Sequence, residues 1–171
     1  MTKTDLTHEE AVDPWLLFVE QQPRWSAATR VELRRQGRDT AITRLVTRQT
    51  CPRMLSLWTI DQPLLLAIDI TKQNLTEALH QIAGVREMPL LAAVALVPPQ
   101  EFAAESFQLL RSAAQEAGAA ATFTSPRQSA ELLAIGDRHA RHAWRLLAEQ
   151  IPLHERVWRR LPWQSAARAI G

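Results

Sequence analysis

Short unbroken hydrophobic runs alternate regularly with amphipathic stretches along this chain. Leu64 to Ile68 carries five apolar residues without a charge, with Pro63 in front and Asp69 behind. A run that short, bounded by polar residues, predicts a strand covered on both faces. Leu90 to Val97, framed by Pro89 and Pro98-Pro99, predicts a second of the same kind. Trp15 to Glu20, Thr40 to Thr47 and Ala120 to Thr124 are shorter or weaker, and the β-branched content of Thr40–Thr47 favours a strand.

Helical spacing fills the gaps. Arg24 to Gln36 predicts a helix with Ala27, Ala28 and Val31 on one face, arginines on the other and Gly37 to stop it. Met54, Leu55, Leu57 and Trp58 mark a short helix within Pro52–Ile60. Leu75, Ala78, Leu79 and Ile82 form an apolar stripe ending near Gly84. Ala103, Phe107, Leu110 and Ala114 form another, with Gly118 placed as a C-cap. Gln128 to His142 makes the last helix of the series, with Trp144 to Ile151 able to prolong it.

Strict strand–helix alternation predicts an α/β fold: a doubly wound five-stranded parallel sheet with helices on both faces. A length of about 130 residues for five units fits a flavodoxin-like domain better than a full dinucleotide-binding fold. The predicted organisation is a flexible tail over 1–13, the (βα)5 domain over 14–143 and a C-terminal amphipathic helical extension over 144–171. Three of the six tryptophans, Trp144, Trp158 and Trp163, lie in that extension beside Arg156, Arg159 and Arg160.

Composition narrows the classes. Hydrophobic residues make up 46% and charged residues 22% of the chain, the balance of an ordinary globular domain. The net charge of +2 gives no strong field for nucleic acid, and no apolar run is long enough for a bilayer. The only cysteine, Cys51, rules out an internal disulfide and suits the reducing cytoplasm.

With the strands in place, their carboxyl ends resemble those of the receiver domains of response regulators over Trp15 to His142. LLLAIDI resembles the third receiver strand, with Asp69 at the phospho-acceptor aspartate. LLFVEQQP is similar to the first, where two magnesium-binding acids are expected and Glu20 and Gln21 stand. AAVALVPP resembles the fourth, where Val97 replaces the hydroxyl residue, and ATFTSP the fifth, where Ser125 replaces the lysine before Pro126. The resemblance implies a vestigial pocket of Glu20, Gln21, Asp69, Val97, Ser125 and Pro126. Phosphoryl transfer to a carboxylate depends on charge neutralisation and positioning, and these replacements remove an acid, a hydroxyl and a cation together. The expectation is a degenerate, pseudo-receiver domain. The resemblance further implies an output or dimer face within Phe102–His142.

Other residues with chemical potential have plainer roles. Asp137, His139 and His142 share helical spacing but lack the companions of a metal motif, so no metal site is predicted. The five glycines, Gly37, Gly84, Gly118, Gly136 and Gly171, form no phosphate-binding loop, and no cofactor is predicted. Arg30, Arg34, Arg35 and Arg38 read as a solvated basic face. Trp144, Trp158, Arg159, Arg160 and Trp163 are of the residue types most enriched at binding hot spots, and this stretch is expected either to dock on a partner or to fold back onto the domain. The functional expectation is a non-enzymatic, phosphorylation-independent interaction module in signalling, binding another protein or a second copy of itself, and neither membrane nor nucleic acid. The alternatives are an atypical phospho-receiver using Asp69 with Mg²⁺, a nucleic-acid-associated regulator using the arginine-rich faces, and a small-ligand sensor at the strand ends.

Overall fold

The computed structural model describes residues 15–46, 62–88 and 90–150. Five parallel strands, β1 (Leu16–Val19), β2 (Thr43–Val46), β3 (Leu64–Asp69), β4 (Leu91–Leu96) and β5 (Thr122–Phe123), form one sheet in the order β2-β1-β3-β4-β5. Helices α1 (Arg24–Arg35), α2 (Leu75–Val85), α3 (Ala104–Ala117) and α4 (Ser129–Gln150) complete an α/β architecture of flavodoxin-like type.

The sheet is doubly wound because its strands are apolar on both sides. Every residue of β1 and β3 is buried. Successive side chains point to opposite faces, and two cores result. Leu17, Val19, Leu66, Ile68, Ala95 and Val97 pack with Ala78 and Ile82 of α2 and Leu110 and Ala114 of α3. Leu16, Phe18, Leu65, Ala67 and Leu96 pack on the other face with Trp25 and Leu33 of α1 and Leu132 and Leu133 of α4.

Several elements differ in detail from the sequence reading. The buried side of α1 consists of Trp25, Ser26, Thr29 and Leu33, whereas Ala27 and Val31 face solvent. Two stripes of helical spacing compete on this segment, and the one carrying the large Trp25 and Leu33 removes more apolar area from water. Helix α2 runs one residue past Gly84. Strand β5 has two residues rather than five. Helix α4 is continuous from Ser129 through Trp144 to Gln150. Gly118 ends α3 with φ of 111°, and Ala119 N–H returns to the Ala114 carbonyl at 2.9 Å, the C-cap read from the sequence. The short helix expected within Pro52–Ile60, Cys51, the 1–13 tail and the segment from 151 onward lie outside the described residues.

Candidate functional site at the carboxyl ends of the strands

Parallel register brings the resemblance-derived positions to one end of the sheet. Val19 pairs with Ile68, so Glu20 and Asp69 follow side by side. Asp69 pairs with Leu96. Leu96 pairs with Phe123, and Val97 donates its N–H to the Phe123 carbonyl at 2.8 Å, so Thr124 and Ser125 follow on β5. This is the end where ligands gather in open α/β sheets.

Glu20 is 4% exposed and is committed to helix α1. Its Oε2 accepts the Trp25 N–H and its Oε1 the Ser26 N–H, each at 2.9 Å. Pro23 stands at the N-cap and makes no side-chain cap. A carboxylate from three residues earlier therefore satisfies two orphan amides and meets the positive end of the helix dipole.

Asp69 is 2% exposed at the end of the central strand. Strand alternation places it on the α1/α4 face with Ala67, whereas Val97 belongs to the opposite core, against α2 and α3. Leu96, not Val97, shares the face of the acid. The loop leaving Asp69 is closed by Asn74, which the sequence reading did not single out. Its Oδ1 accepts the Thr71 N–H and its Nδ2 donates to the Asp69 carbonyl, both at 2.7 Å. Asn74 occupies the N-cap of α2, yet its side chain turns back to the strand rather than forward to the helix. Its only sequence signal is an Asn directly before an amphipathic stretch.

Ser125 and Pro126 begin the approach to α4. Ser125 Oγ accepts the Arg127 N–H at 3.3 Å, and Gln128 Oε1 accepts the N–H groups of Thr124 and Ser125 at 2.9 and 3.2 Å. This reciprocal capping box, with Pro126 just inside it, is a local structural device. Gln21 is exposed. A cleft of about 390 Å³ opens beside these loops, lined by Arg24, Trp25, Pro98, Gln100, Thr124 and Ser125. Neither acid is among its lining residues.

The donor set does not fit a magnesium ion. Both Glu20 oxygens already accept backbone amides, Gln21 points to solvent, and magnesium demands near-octahedral oxygen ligation with carboxylate charge. Among the described residues no three His, Cys, Asp or Glu side chains come together to hold a metal. Asp137 is paired with Arg38, Nε2 of His139 lies 2.9 Å from the Leu90 carbonyl, and His142 is exposed.

The basic face of α1 is partly spent on internal contacts. Arg30 Nε donates to Thr43 Oγ1 at 3.1 Å, Arg35 is bidentate on Glu32, and Arg38 is bidentate on Asp137. Of the predicted docking residues, Trp144 is on α4 and 54% exposed, while Trp158, Arg159, Arg160 and Trp163 lie outside the described residues. No described helix is long and apolar enough to cross a membrane.

No protein-family model, curated protein or solved structure matches the chain significantly.

Proposed function

We propose that the protein is a degenerate receiver-like domain that works by binding another protein, without phosphoryl chemistry, as a regulatory module in signalling. The observation that carries this reading is the use of Glu20. The group that would hold a cation in a working receiver is instead bonded through both oxygens to the start of α1. Ser125, at the expected lysine, supports the same view, because its hydroxyl serves the turn into α4. Val97 lies in the opposite core and offers neither a hydroxyl nor the right face. The lone Cys51 favours a cytoplasmic setting.

The competing reading keeps Asp69 as a phospho-acceptor, since it remains at the end of the central strand. Beryllofluoride with Mg²⁺ mimics the phosphoryl group on an aspartate and separates the two. The module reading expects no change in melting temperature when both are added. A stabilisation that disappears in Asp69→Asn would establish the phospho-receiver in its place.

A further inference from the structure

We propose that a cleft at the opposite, amino-terminal end of the sheet docks an acidic peptide segment of a partner protein, with Arg141 taking a carboxylate and Trp15 and Trp144 taking the apolar side chain next to it. The proposal rests on the interaction-module reading and names the chemistry of the partner. The cleft is about 430 Å³, and Trp15, Arg38, Pro63, Asp137, Arg141 and Trp144 are among its walls. That is room for one or two side chains, not for a whole secondary-structure element.

Charge selects the occupant. Arg38 donates to both oxygens of Asp137, at 3.0 and 2.8 Å, so that pair is internally neutral. Arg141 is exposed and, among the described residues, has no ion pair. Among the described residues the cleft therefore carries one uncompensated positive charge, and a carboxylate is its direct complement. Trp144 follows Arg141 by three residues on α4, so the two side chains occupy neighbouring positions on the helix surface.

The aromatic wall is already set. Trp15 packs against Gly136, where any larger residue would overlap its ring, and the Arg38 guanidinium lies 5.8 Å from its centroid. A ligand would not have to order that indole, which lowers the cost of binding. Trp and Arg are also the residues that most often dominate binding energy. With Trp144 more than half exposed, the cleft is open along one side. A small-molecule site encloses most of its ligand, whereas an open slot lets a peptide backbone run past outside. One unpaired arginine among the described walls of the cleft and a net charge of +2 are poor footing for a phosphate backbone.

The full-length protein, labelled to report its indole N–H groups by NMR, would be titrated with capped hexapeptides alternating glutamate with phenylalanine, leucine or tryptophan. Lysine-for-glutamate counterparts and a thymidine hexanucleotide serve as comparisons. The expected result is saturable movement of the Trp15 and Trp144 signals with the acidic peptides. Arg141→Glu and Trp144→Ala, both surface changes, should each weaken binding by about tenfold or more without altering the melting temperature. The proposal is overturned if neither indole responds, if the lysine peptides act equally, if the hexanucleotide binds better, or if Arg141→Glu binds as well as the parent. Each of those results leaves the beryllofluoride experiment, which tests the module reading separately, unaffected.

Discussion

The indole of Trp15 and the backbone of Gly136 are in contact across the sheet and helix α4, in space that a single methyl group would fill. A Cβ at position 136 would overlap the ring and come within 3.3 Å of Leu65 Cδ2. Gly136→Ala should therefore destabilise the protein by about 1–3 kcal/mol, despite the better helix propensity of alanine. Gly84, near the end of α2, meets nothing within 4 Å. There the same substitution should stabilise by about 0.5–1 kcal/mol. Urea denaturation of the two variants should give shifts of opposite sign, and equal shifts would contradict the packing described for Trp15.

Glu20 should prove structural. Glu20→Ala leaves the buried Trp25 and Ser26 amides without their acceptor, and a loss of about 1–3 kcal/mol is expected. Glu20→Gln keeps one acceptor oxygen and should lose less. Added Mg²⁺ should not stabilise the parent over either variant; a magnesium-dependent gap in melting temperature would restore Glu20 to the role of ligand.

Asn74 closes the β3–α2 loop with two bonds of 2.7 Å in a site only 3% exposed. Asn74→Ala should cost about 1–3 kcal/mol. Asn74→Asp keeps the acceptor for Thr71 N–H but loses the donor to the Asp69 carbonyl, so it should remain less stable than the parent. Hydrogen exchange at Thr71 should accelerate in Asn74→Ala, and an unchanged rate would exclude this account of the loop.

Only a weak acid-side dependence should come from the α1 surface. Hydrogen bonds from Arg35, then Gln36, hold the Glu32 carboxyl below its ordinary range. A depressed folded-state value contributes stability above the usual glutamate range and loses it as pH falls through the lowered one. Arg35 is exposed and Glu32 only partly buried, so the pair is reached and screened by salt. Stability curves of the parent and Glu32→Gln should therefore differ slightly at neutral pH in low salt and converge in strong acid. A gap that persists there, or in high salt, would assign Glu32 a role beyond this ion pair.

How much of this was legible depended on the kind of interaction. Strands β3 and β4 were plain because Leu64–Ile68 is wholly buried and Leu90–Val97 is buried but for the half-buried Leu91 and Ala92, which leaves an unbroken apolar signature. The face of α1 was not, because two of its four buried residues are Ser26 and Thr29, which apolar periodicity does not count. Its rotation is anchored by Glu20, a residue outside the helix. At the strand ends the sequence placed Glu20, Asp69 and Ser125 together but could not show that Glu20 and Ser125 serve as caps, since their partners are backbone amides that carry no residue identity. Gly136 was visible only as a glycine in a helix, and its contact with Trp15 spans most of the chain.

The position of β1 has a consequence for biosynthesis. Leu16 pairs with Thr43 on one side and Leu65 on the other, so the first of the described strands lies between two that follow it in the chain. Chains fold vectorially as they leave the ribosome. Glu20 can cap α1 as soon as that helix emerges, but the all-apolar Leu16–Val19 segment must wait for β3 before both its edges are covered. Until then one edge of this apolar tetrapeptide has no strand to pair with.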